Sequence, residues 1–368
     1  MSIMNFDSLK VTTMTVVIPL TGAINLDVVF PLLEITRFDL PPPKRQTQKY
    51  KIPYCGISGT ILSARYKGIT RGIIKSQKKR SFLNAITIDI STSEKNVNLK
   101  LSKNKIHICG VKSIESAREA AQSIITKLYN VQDEIDYMNE YPDSTKSVVD
   151  WIKDTFKFNE VELPPGYLGD EQVMSIRVHQ IKIPENIPEY IDKRIALFLI
   201  KQAPDFVTYE DYCTHMDWVC TLKEVIEKPI EILDINKVMV NYNYDLGFAI
   251  NRWELAQKIN SENGFISKYQ NTVDHSVTIE LPYLVPEGMK IVKRKDKVPC
   301  HTFLVYKSGL VTQSGPNEEL MKEAYDLFNK TINKIRADIS KPGGKRKIKF
   351  VPTRPIQDVP SKNTEITV

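Results

Sequence analysis

The chain has 368 residues, 42% of them hydrophobic and 26% charged, with a formal net charge of +7. That length suits two or three domains around a sizeable core. No apolar run reaches the roughly 18 residues a membrane-spanning helix needs. The opening MSIMNFDSLK lacks a basic segment followed by an apolar core, so no secretory signal is expected. The five cysteines, Cys55, Cys109, Cys213, Cys220 and Cys300, are scattered and odd in number, which fits free thiols in a reducing compartment.

The first predicted elements lie in VVIPLTGAINLDVVFPLLEI, Val16–Ile35: an alternating strand, Gly22, the pair Ile24-Asn25, and a short helix carrying Val29 and Leu33. Pro41–Gly56 follows as a Pro-rich extended loop. The stretch from Lys67 to Arg80 is rich in Lys and Arg. Phe82–Ile90 reads as a strand, and Leu99–Ser113 as strand, tight turn, strand, then Gly110. Asn104 is placed where a hairpin turn tolerates a positive φ. Ser113 is a natural N-cap for a helix with Ala117, Ala120, Ala121, Ile124, Ile125 and Leu128 on one face.

Residues 131–235 then change character. They hold 22 Asp+Glu against 10 Lys+Arg, a net of −12, while the other 263 residues hold 41 basic and 22 acidic side chains, a net of +19. A basic body suggests a polyanion partner, and a solvated Lys-rich surface is the plain alternative. Within the acidic stretch three helices are expected, at Ser144–Phe158, Glu189–Lys201 and Asp211–Glu227, as a small helical module. Its acidity argues against contact with DNA by the module itself.

Beyond it the opening pattern returns. Asn241–Ile259 again gives a strand, a Gly (Gly247), the pair Ile250-Asn251 and a short helix. Ser276–Tyr283 is strand-like, Lys290–Lys297 is a basic cluster, and Leu304–Glu318 again reads strand, turn at Gly309, strand, Gly315. Asn317 caps a helix with Met321, Ala324, Leu327, Phe328, Ile332 and Ile335 on one face. Two colinear matches in the same order and helix phase point to an internal duplication. The last 28 residues, with the basic run KPGGKRKIKF, read as a flexible basic arm.

The passage KIHICGVKSIESAREAAQSIITKL, with Lys105, Gly110, Lys112 and Ser113, together with Asp245-Leu246-Gly247, resembles the TATA-box-binding protein (TBP) family, in a divergent form of the kind that large DNA viruses encode. The resemblance spans about 200 residues in four stretches. It implies an α+β fold: a duplicated saddle of antiparallel sheet with helices on the convex face, plus an inserted helical domain. The implied division is 1–130 for the first repeat, 131–235 for the acidic insert, 236–340 for the second repeat and 341–368 for the tail. It also implies a transcription initiation factor that grips the minor groove of A/T-rich double-stranded DNA on a curved apolar sheet face, with wedges that bend the duplex.

By position, the family's wedge sites fall on Leu83 and Leu101 in the first repeat and on Asp274 and Tyr306 in the second. Its central Asn sites fall on Met14 and Met239, with Asn241 two residues on and on the same strand face. The expected base contacts are therefore Leu83, Leu101, Asn241 and Tyr306, and the expected phosphate contacts Lys78, Lys79 and Arg80. A B-type initiation factor and RNA polymerase are the implied protein partners of a monomer with pseudo-twofold symmetry. Its expected place is the nucleus or a cytoplasmic viral factory. The competing reading keeps the fold as a protein-interaction or virion scaffold.

Catalytic signatures are missing from the sequence: there is no Walker loop, G-x-S-x-G, H-E-x-x-H or GxGxxG. Cys213-x-His215-x4-Cys220 has metal-ligand residue types but no evident fourth ligand. The expectation is a protein that is not an enzyme, with no cofactor and no metal.

Overall fold

The structure is a computed structural model that describes residues 5–36, 56–72, 82–155, 187–202, 209–226, 229–262, 264–270, 274–285 and 298–341. Lys78, Lys79, Arg80, the Lys290–Lys297 cluster, Cys55 and the basic tail lie outside the described residues.

The first half runs β1 (Val11–Pro19), α1 (Leu26–Leu32), β2 (Ile61–Tyr66), β3 (Ile69–Gly72), β4 (Ile86–Ser91), β5 (Asn96–Ser102), β6 (Lys105–Val111) and α2 (Ile114–Glu140). Three helices follow: α3 (Pro142–Thr155), α4 (Lys193–Ile200) and α5 (Tyr209–Val219). The second half runs β7 (Asn236–Asp245), α6 (Arg252–Ile259), β8 (Ile266–Lys268), β9 (Ser276–Pro282), β10 (Cys300–Tyr306), β11 (Leu310–Gly315), α7 (Glu318–Lys334) and α8 (Arg336–Ile339). The fold is α+β.

Among the described residues the strands form one antiparallel sheet in the order β3-β2-β4-β5-β6-β1-β7-β11-β10-β9-β8. The halves meet at β1–β7, where Thr13 faces Asn241 and Thr15 faces Met239. On each side of that seam the elements come in the same succession, except that the first half adds β3.

Local chemistry explains the long helices. Ser113 accepts a hydrogen bond from the Ser116 amide (3.1 Å), and Asn317 from the Leu320 amide (3.0 Å), so both N-caps are made as their residue types suggest. The stripe Ala117, Ala120, Ala121, Ile124, Ile125 and Leu128 is buried, as are Met321, Ala324, Phe328 and Ile332. α2 and α7 pack on β6 and β11, and α6 on β8 and β9. The connection after each first strand is held by a hairpin. The Leu20 and Ile24 amides donate to the carbonyls of Asn104 and Lys103, and the Leu246 and Ile250 amides to those of Gly309 and Lys307.

Helix α2 runs unbroken past residue 130, and Ile135 and Met138 continue its buried face. α3, α4 and α5 add Val148, Ile152, Ile195, Leu199 and Met216 to the same apolar core. The described helices of the segment 131–235 thus pack into one core with the sheet. α5 stops at Val219, short of the expected Glu227, because the chain turns to pair with the first half. Ile226 bridges Ile24, and Ile232 bridges Leu20. Ser340 bridges Ile250 at the matching place in the second half.

Candidate nucleic-acid interface

Strand side chains alternate between a buried face under the helices and a half-buried face opposite. In β5, Val97, Leu99 and Leu101 are buried, while Asn98, Lys100 and Ser102 are partly exposed. In β10, His301, Phe303 and Val305 are buried, while Thr302, Leu304 and Tyr306 are partly exposed. Register carries this second face across the seam: Thr13, Asn241, Ser314, Thr302 and Glu280 stand in one row, and Asn243, Thr312, Leu304 and Thr278 in the next. This surface is the candidate interface.

Its chemistry differs from the expected apolar floor. Hydroxyls and carboxamides are its commonest groups, and Val17, Met239, Ile266, Leu304, Tyr306 and Leu310 are dispersed apolar members. Such a floor recognises by hydrogen bonding more than by water exclusion. The first half adds Arg65, Lys100, Lys105 and His107. On β4, Asp89 accepts from Ser63 Oγ (2.9 Å) and Asn98 Nδ2 (3.2 Å).

Asn241 and Tyr306 are both on this face, on β7 and β10. Asn241 Nδ2 donates to Thr13 Oγ1 (2.9 Å) across the seam, and its Oδ1 is buried without a partner. A threonine hydroxyl both gives and accepts. A half-turn of the carboxamide therefore keeps the bond to Thr13 in either orientation. Thr13 is the residue opposite it in the register.

Leu101 is the correction. It is 0% exposed and packs beneath the helices, so it does not reach the candidate interface. The cause is loop length. Ser102 pairs with Lys105 around a two-residue turn, Lys103-Asn104. In the second half the register that pairs Val305 with Val311 sets Tyr306 opposite Leu310, so the loop Lys307-Ser308-Gly309 holds one residue more, closed by the Gly309 amide donating to the Tyr306 carbonyl (2.9 Å). Matching Asn104 with Gly309 equates Leu101 with Tyr306. Matching the strand pairs equates Leu101 with Val305 and Tyr306 with Ser102. One residue of slip exchanges the two faces. The same difference explains why Gly309 has φ +89° while Asn104 does not adopt the expected positive φ.

Leu83 lies in a bend before β4, which begins at Ile86 rather than Phe82. It is 75% exposed, and the neighbouring Phe82 is 49% exposed, with Lys100 Nζ 4.3 Å from its ring centroid. The sequence places Lys100 and His107 in one hairpin, but only the length of its turn, Lys103-Asn104, sets them opposite each other.

His215 Nε2 lies 2.6 Å from Gln202 Oε1, and burial, with Arg71 nearby, pulls its pKa down to about 4. Burial pushes the Cys220 thiol up to about 11 and takes His301 down to about 4. Burial first, then Lys100 and Lys105, holds His107 below the ordinary imidazole value.

No protein-family model and no curated protein matches this chain. Among solved structures it is similar to a Methanococcus jannaschii TBP, with 13% identity over 89% of this chain and 98% of that one, at a TM-score of 0.35. A fit that loose transfers no residue role. No helix among the described residues is long and apolar enough to cross a membrane.

Proposed function

We propose that this protein is a non-catalytic, DNA-binding initiation factor of the TBP-like kind. It would be a duplicated saddle that takes A/T-rich double-stranded DNA against its uncovered sheet face. The observation that carries the reading is the seam. Two halves with the same succession of elements join through β1–β7, leaving a continuous face of Thr, Ser and Asn side chains across both. Small hydroxyls and carboxamides suit the acceptor-rich A·T minor groove, and the exposed Phe82 and Leu83 are the proposed wedges. The net of +19 outside residues 131–235 supplies long-range attraction to phosphates. A B-type initiation factor and polymerase are its proposed protein partners.

The second reading, a protein-binding scaffold, is favoured by one observation: the floor of the face is polar where a wedge-bearing sheet would be greasy. Gel-shift titration on A/T-rich and G/C-rich duplexes at two salt concentrations separates the readings. Tighter binding to the A/T-rich duplex is expected. Its log affinity should fall with log salt by about 0.9 per phosphate neutralised. Equal, weak and salt-independent binding to both duplexes would establish the scaffold instead.

A further inference from the structure

The uncovered face carries its charge unevenly. On β8–β10 the charged residues of that face are Lys268 and Glu280, which neutralise each other at 2.7 Å. On the first half, Lys100 of β5 stands opposite His107 of β6, and Lys105 lies two residues earlier on the same face of β6. Opposed residues in an antiparallel pair lie about 5 Å apart, and i, i+2 neighbours about 7 Å. Two lysines thus flank one imidazole on this face. Lys100 Nζ lies 4.3 Å from the Phe82 ring centroid, and among the described residues neither lysine has a carboxylate partner. Asp89, the acid nearby on β4, is occupied by Ser63 and Asn98, and Arg65 of β2 donates from Nε to Thr70 Oγ1 (3.1 Å). Leaving like charges together and unpaired is unfavourable unless an anion comes to them.

We propose that Lys100, Lys105 and His107 form a phosphodiester clamp, so that the sheet grips its nucleic acid by one half only, with His107 taking up a proton as the phosphate arrives. The proposal rests on the DNA-binding reading above and specifies which half holds the backbone. The groups facing His107 are Lys100 from β5, Lys105 and Cys109 from its own strand, with Cys109 Sγ 3.8 Å from Nε2, and Val17 from β1. In the free protein the imidazole is neutral at pH 7, held so by burial and the two lysines. A phosphate between the lysines cancels their repulsion and favours the imidazolium. The complex then binds more protons than the free protein, and affinity rises as pH falls from about 7 toward 5.5.

The test has two arms. In the first, the His107 ring is titrated by NMR with and without inorganic phosphate. Phosphate should raise its pKa in the wild type and leave it unmoved in K100Q/K105Q. In the second, duplex affinity is measured against salt and pH. K100Q/K105Q should lower the log–log salt slope by about two, H107Q should flatten the pH dependence, and K268Q should change neither. Thermal melting of each variant checks that the fold is kept. A wild type that ignores every duplex while phosphate still moves His107 rejects the DNA reading and keeps the clamp. Duplex binding with an unchanged slope in K100Q/K105Q, or a His107 titration blind to phosphate, rejects the clamp and keeps the DNA reading.

Discussion

The two halves share an order of elements but fill the space between sheet and long helix with different side chains. In the first half that layer is aliphatic: Ile86, Ile88, Ile90, Leu99 and Ile106 of the strands meet Ala117, Ala120, Ala121, Ile124 and Leu128 of α2. In the second, rings enter from both sides, Phe303 from β10 and Tyr325 and Phe328 from α7, beside Val277, Ile279, Val305 and Val311. Phe328 stacks on Phe303 with centroids 4.2 Å apart and planes at 7°, and Phe265 meets both edge-on. A close-packed layer can be filled by aliphatic or aromatic side chains, provided that the volumes match.

That contrast is open to attack by substitution. Phe328→Ala should cost about 3–5 kcal/mol, because it removes a ring from a stack that cannot collapse. Ala121→Leu should cost about 1–3 kcal/mol by overpacking the tighter first half. Urea midpoints of the two variants read both. If Ala121→Leu is neutral, the first half is loosely packed and the comparison fails.

A finer contrast sets Leu101 against Tyr306, equivalent by sequence and opposite in the sheet. Leu101→Ala should destabilise by about 2–5 kcal/mol while duplex affinity of the folded fraction is unchanged. Tyr306→Ala should weaken duplex binding at a stability cost below about 1 kcal/mol. Denaturant melts beside gel shifts on both variants decide it. Reversal of the two outcomes would show that the two faces have been assigned the wrong way round.

The smallest expected effect separates the segment 131–235 from the sheet. His215 in α5 and His301 in β10 are both held near a pKa of about 4 by burial. Each gains its proton on unfolding at a pH where the native side chain is still neutral. The unfolded chain therefore binds more protons between roughly pH 6.5 and 4, and stability falls as pH drops through that window. The slope is at most about 1.4 kcal/mol per pH unit for each imidazole. Replacing His301 by Gln should halve the slope measured from urea midpoints. A stability flat from pH 6.5 to 4 in the parent chain would mean that neither histidine is buried in its neutral form.

Much of the layout was readable from local patterns. The caps at Ser113 and Asn317, the buried stripes of α2 and α7, and the placement of helices near α3, α4 and α5 each depend on residues within a turn or two of one another. The recurrence of strand, short helix and long helix was readable for the same reason. Strand faces were not. Whether Leu101 or Ser102 faces outward turns on one residue in a hairpin loop, and a period of two converts that single residue into a full reversal.

The chain by itself determined where helices begin, which of their faces are apolar, and that charge is segregated along the sequence, because each of these follows from neighbours in order. Only the tertiary structure decided that Asn241 spans the seam to Thr13, and that α3, α4 and α5 close into the same core as the sheet. Those are pairings between elements distant along the chain, set by register and packing, and no local pattern encodes them. The meeting of Lys100 with His107 lies between: one hairpin holds both, and the length of its turn sets them opposite.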